Sequence, residues 1–177
     1  MTATKTDNRY INIIKSLTSD KSKEVLTAIK QLRKHGKPEA ITNLISLYKT
    51  TKDAEIKEVL EGFFFDLKDQ TATEVLITEI ENEDDVALKT FLISILWQSS
   101  LDASEHIHTL VTQAIKGDYM TCVEVMTVMD SFETTFQEEE IQDIDFDLAD
   151  AIDSDDGEKR DILITLKNAL ASLNVEF

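Results

Sequence analysis

The chain is short of what marks a disulfide scaffold, a β-rich fold or a phosphate loop. Its 177 residues include one cysteine, one proline and four glycines. A lone cysteine forms no internal disulfide. So little Gly and Pro leaves few of the turns that a many-stranded fold requires, and no Gly-rich segment to cradle a phosphate. Positive charge is scarce as well. There are 18 Lys and Arg against 35 Asp and Glu, a formal net charge of −17. A surface of that sign repels phosphates, so general DNA or RNA binding is not expected. No apolar run reaches the roughly eighteen residues of a transmembrane candidate. Met1 to Asn8 is polar and carries no signal-peptide pattern. With a single thiol, this points to the reducing cytoplasm. What the chain does have is a hydrophobic fraction of 42%, enough for the core of a single domain over 1–177.

The charge is graded along the chain. Residues 1–52 hold eleven Lys and Arg against four Asp and Glu, a net of +7. Residues 53–117 hold four against fourteen, a net of −10, and residues 118–177 three against seventeen, a net of −14. The acidic protein therefore has a basic first third.

Apolar residues fall at helical spacing nearly throughout. Ile41, Leu44, Ile45 and Tyr48 run i, i+3, i+4, i+7, as do Ile56, Val59, Leu60 and Phe63, with Leu67 continuing at i+11. Period-two alternation has no useful length. The expected fold class is all-α. The helices also recur. Lys23-Glu24-Val25-Leu26 returns as Lys57-Glu58-Val59-Leu60, with weaker copies beginning at Lys89, Cys122 and Arg160, spaced 34, 32, 33 and 38 residues apart. Such a period marks stacked helical hairpins, none able to bury its apolar face alone. Four residues before each copy stand Ser19, Asp53, Asp85, Asp118 and Asp156, residue types that cap helix starts.

The unit Asp-x-x-apolar-basic-x-x-apolar, clearest at Asp53–Leu60 and Asp85–Leu92, resembles the second helix of a HEAT repeat. Lys37–Ile45, with Pro38 in its first turn, resembles the first helix of the next. The resemblance implies a right-handed α-solenoid of about five antiparallel hairpins, over about 8–35, 37–67, 70–99, 102–132 and 138–173. A short disordered segment of about 1–7 precedes them. First helices are expected near 8–17, 38–50, 71–82, 103–116 and 138–152. Second helices are expected near 20–35, 53–67, 85–99, 118–132 and 156–173. The fourth copy departs from the pattern with Thr121 at the apolar position and Cys122 at the basic one. The fifth departs with Lys159 at the apolar position. HEAT-like arrays usually act as binding scaffolds, with second helices lining a concave surface. Related arrays include DNA glycosylases, which need a cationic groove that this chain lacks, and phycobilin lyases. The latter leave open an accessory factor or enzyme holding a small ligand on the concave face.

No residue set announces catalysis. His106 and His108 stand two apart, so on a helix they point to different sides and do not share a metal ion. Cys122 lies between Asp118 and Glu124, surroundings that disfavour a reactive thiolate. The run from Glu138 to Asp156 fails the calcium-loop pattern. Setting Gly157 at position 6 puts Ile152 at position 1 and Ser154 at position 3. Ile141, Ile144, Leu148 and Ile152 keep helical spacing through the run, which reads as a solvated helix face. Walker, dinucleotide and zinc-protease motifs are absent from the sequence. The expectation is a non-enzymatic protein with no cofactor and no metal.

Comparing equivalent positions of the second helices suggests where a partner binds. Counted from the basic residue, offsets +3 and +6 hold Leu26, Leu60, Leu92, Val125, Leu163 and Ile29, Phe63, Ile95, Val128, Leu166, a core stripe. At about 100° per residue, offset +8 lies opposite. Phe65 and Trp97 stand there. Ile93 and Met126, at +4, and Val123, at +1, extend the expected partner patch. A second surface is the basic cluster Lys21, Lys23, Lys30, Arg33, Lys34 and Lys37. It is able to meet the acidic repeats of another copy in weak head-to-tail association. The expected role is reversible protein–protein interaction.

Overall fold

The computed structural model describes residues 5–35, 37–155, 157 and 159–176. It is all-α apart from two short strands. In chain order the helices are α1 Lys5–Ser16, α2 Ser22–His35, α3 Ala40–Thr50, α4 Ala54–Phe65, α5 Thr71–Asn82, α6 Val86–Gln98, α7 Ile107–Lys116, α8 Tyr119–Met129, α9 Glu138–Ser154 and α10 Lys159–Leu170. A 3-10 turn, Ser104–His106, leads into α7. The expected spans agree to within three residues at each end, except that α7 starts at Ile107, four past the expected 103, with the 3-10 turn filling most of the gap. Helix α1 begins at Lys5 rather than near residue 8, and residues 1–4 lie outside the described residues. The strands β1 Phe136–Gln137 and β2 Val175–Glu176 pair in parallel and were not expected. No helix among the described residues is long and apolar enough to cross a membrane.

The chain divides into two compact units, Met1–Val75 and Leu76–Phe177. In the first, α2 packs on α1 and on α4, and α3 packs on α4. Ile29, Leu44, Leu60 and Phe64 are fully buried between them. In the second, α8 is central, flanked by α6, α7 and α10, while α9 packs on α7 and α10. Helix α6 is buried over most of its circumference, with Leu92 to Leu96 buried in succession. A helix apolar all round belongs inside, which is why α6 lacks a one-sided pattern.

Three of the expected caps form. Asp53 accepts from the Glu55 and Ile56 amides (3.0 and 3.3 Å), Asp85 from Leu88 (2.9 Å) and Asp118 from Thr121 (2.9 Å). These bonds leave fewer free N–H groups at each helix start. Ser19 is a correction. Helix α2 starts at Ser22, and the Ser19 hydroxyl instead accepts from the Lys21 amide and donates to Glu24 in the turn before it. Asp156 lies outside the described residues.

The departures in the fourth and fifth copies have physical reasons. Thr121 is fully buried, yet its hydroxyl completes a capping box with Asp118 and lies 2.9 Å from the Thr90 hydroxyl of α6. Lys159 reaches back with Nζ to the Ile115 and Gly117 carbonyls at the end of α7. Its stem stays apolar while its charge meets the negative end of a helix.

Candidate partner-binding site

The expected patch resolves into one exposed aromatic and several covered neighbours. Phe65 ends α4 in the first unit and is half-buried. The other four stand in the second unit. Ile93 is fully buried, a correction to its expected exposure, because α6 is enclosed on the side where Ile93 points. Val123 and Met126 are half-buried on α8. Trp97 alone of the set is exposed, at 38%.

The turn that follows α6 explains how Trp97 comes to the surface. Leu101 N–H donates to the Leu96 carbonyl (2.9 Å) and Ser100 N–H to the Trp97 carbonyl (3.2 Å). Between them Ser100 adopts φ of 57°, the only positive φ at a non-glycine among the described residues. This is the Schellman pattern, which places a left-handed residue just past the helix and packs the next apolar residue back on its last turn. Leu96 and Leu101 are both buried, and Trp97 is left at the rim.

There Trp97 lines an open groove of about 730 Å³ with Leu101, Asp102, Asp130, Phe132 and Glu133. Its indole Nε1 donates to Glu124 Oε2 of α8 at 2.7 Å, which fixes the ring. The Phe132 ring lies 5.8 Å from that of buried Phe136. The strand pair β1–β2 thus holds the segment that floors this end of the second unit: Phe136 N–H donates to the Asn174 carbonyl at 2.9 Å. Sequence reasoning found Trp97 through its offset. Asp130 holds the same offset in the fourth copy, eight residues past Cys122. Phe132, ten past Cys122, was missed because that offset continues the core stripe.

The basic cluster is exposed throughout. On α2, Lys23, Lys30 and Lys34 form a stripe opposite buried Val25, Ile29 and Leu32. The other members are engaged. Lys21 pairs with Glu24 (2.8 Å), Arg33 with Asp66, and Lys37 lies over the Tyr10 ring (5.5 Å).

The remaining chemical candidates are occupied by structure. Cys122 is fully buried, and its Sγ donates to the Ala114 carbonyl (3.3 Å). Burial pushes its thiol above the usual range, the opposite of activation. His108, exposed on α7, lies 3.1 Å from Asp147 of α9. His106 ends the 3-10 turn. The acidic run up to Ser154 forms α9, with Ile144, Leu148 and Ile152 buried, most of its carboxylates exposed, and Asp145 bonded to Lys167 of α10. Among the described residues no three His, Cys, Asp or Glu side chains converge to hold a metal ion.

No family model, no curated protein and no solved structure matches the chain.

Proposed function

We propose that the chain is a non-enzymatic protein–protein interaction module of HEAT-like helical hairpins, acting in the cytoplasm. One observation carries this reading. The chain's single tryptophan is exposed, locked by Glu124 and set in an open groove rather than used in the core. Rigid, partly exposed tryptophans are the residues that dominate binding energy at protein interfaces. The repeating capped helices support the HEAT-like reading, since each hairpin leaves a face for its neighbour. Trp97→Ala removes a rim residue and is expected to leave far-UV circular dichroism unchanged. It is also expected to abolish capture of the partner by the immobilised chain. Capture that survives the substitution contradicts the proposal.

A second reading is an accessory factor for a small ligand, and one observation favours it. A groove of about 430 Å³ in the first unit is lined by apolar Leu32, Ile41, Phe63 and Leu67 and by charges of both signs, Lys37 and Lys68 with Asp69 and the Arg33–Asp66 pair. Its size and lining suit a small amphiphile. Native mass spectrometry of the purified chain tests it. A co-purifying small molecule supports the reading, and the bare mass of the chain counts against it.

A further inference from the structure

The groove beside Trp97 collects negative charge where helices disfavour it. The carboxyl end of a helix bears about half a unit of negative charge, so cations belong there. Helices α6 and α8 both end at this groove with no basic residue in their last turns. Asp130 is the C-cap of α8. With Asp102 and Glu133 it lines a groove that includes no Lys or Arg. Asp130 and Glu133 make no ion pair with a described residue.

The first unit contains the same arrangement with its cation supplied. Helix α4 also ends on a C-cap aspartate, Asp66, with no basic residue in its last turn. There the guanidinium of Arg33, from α2, donates to Asp66 and lies 5.8 Å from the centre of the Phe63 ring. Gly62 admits it: a Cβ at that position would stand 3.3 Å from Arg33 Nη2. In α6 the position matching Arg33, ten residues past the repeated basic site, is Ser99. Ser99 is buried and spends its hydroxyl on the Ile95 carbonyl. The second unit therefore has carboxylates and an aromatic ring at its helix ends, but no guanidinium of its own to match Arg33.

We infer that this groove takes a guanidinium or ammonium side chain from a basic segment of another protein. The inference rests on the interaction-module reading and adds the chemistry of the partner. An organic cation answers every feature of the site. The carboxylates and the terminal carbonyls of two helices attract it, and an indole face is the strongest aromatic platform for a cation. The bond from Trp97 to Glu124 holds the indole in place before the partner arrives.

Because the chain has one tryptophan, indole emission reports on this groove alone. The probe is a blocked tri-arginine peptide titrated into the full chain at about 150 mM salt, where distant surface charges are screened. A saturable change in Trp97 emission is expected. Two double variants remove the same charge from different places. Asp130→Asn with Glu133→Gln neutralises the groove, and Asp143→Asn with Asp150→Asn neutralises the outer face of α9. The groove pair is expected to weaken binding by about tenfold, the scale of a lost charge-assisted contact. The α9 pair is expected to change it by less than about twofold. Removing a carboxylate from a helix carboxyl end does not endanger folding. Equal weakening by the two pairs, or binding with no change in Trp97 emission, overturns the inference. The two readings also separate. A natural partner that is lost with Trp97→Ala but bound undiminished by the groove pair leaves the interaction module standing and refutes its cationic ligand.

Discussion

Gly117 and Thr121 show how tightly single residues are fitted in the second unit. Thr121 fills an apolar slot, buried, with both its neighbours in hydrogen-bond reach. Gly117, one residue before the Asp118 cap, makes room for it, since a Cβ there would lie 2.6 Å from the Thr121 side chain. Gly117→Ala is therefore expected to cost about 1–3 kcal/mol, the range of an overpacked core, seen as a lower urea midpoint. Ser100 carries the opposite lesson. Its left-handed φ of 57° favours glycine. Ser100→Gly is expected to raise stability by about 0.5–1 kcal/mol, the relief of strain less the freedom glycine adds to the unfolded chain. An unchanged or lower midpoint contradicts it. Neither residue was legible in advance. The repeat made Thr121 look like an error at an apolar position, and nothing local marks Ser100 as left-handed. Trp97 was legible because its offset from the repeated basic residue places it opposite the core.

At the scale of the elements, caps and cations bind one helix to the next. The Thr121 amide bonded to Asp118 holds that carboxyl below its usual range, and at Asp53 the Ser22 hydroxyl of α2 does the same first, then the Ile56 amide. A carboxyl held low in the folded chain binds fewer protons than in the unfolded one. Its stabilisation is fully present above about pH 4 and is lost as pH falls through the lowered value. Asparagine caps a helix about as well but does not titrate. The wild type is therefore expected to lose more stability between pH 6 and pH 3 than Asp118→Asn, measured by urea unfolding at both values. Equal losses contradict the assignment. The helices themselves were readable, because amphipathic spacing survives wherever one face meets solvent. It failed at α6, where enclosure erased the pattern and hid the burial of Ile93. It also failed at β1 and β2, where two residues are too few for any period.

Across the whole molecule the charge divides with the units. Residues 1–75 hold thirteen Lys and Arg against eleven Asp and Glu, a net of +2, while residues 76–177 hold five against 24, a net of −19. Of those five cations, Lys89 bonds Gln113 (2.7 Å), and Lys159, Arg160 and Lys167 bond carbonyls or Asp145 within the unit. The acidity of the second unit is thus left to face outward, and the gradient visible in the sequence becomes a property of one compact body. That body also exposes Phe146 at 73%, on the acidic face of α9 and away from the groove residues in sequence. This gives the central claim its control, because both substitutions remove an exposed aromatic from the same unit. The decisive measurement is quantitative capture from a lysate of the source organism by immobilised wild type, Trp97→Ala and Phe146→Ala. The account predicts a partner retained by wild type and Phe146→Ala and lost with Trp97→Ala. The same proteins captured in the same amounts by all three would contradict it.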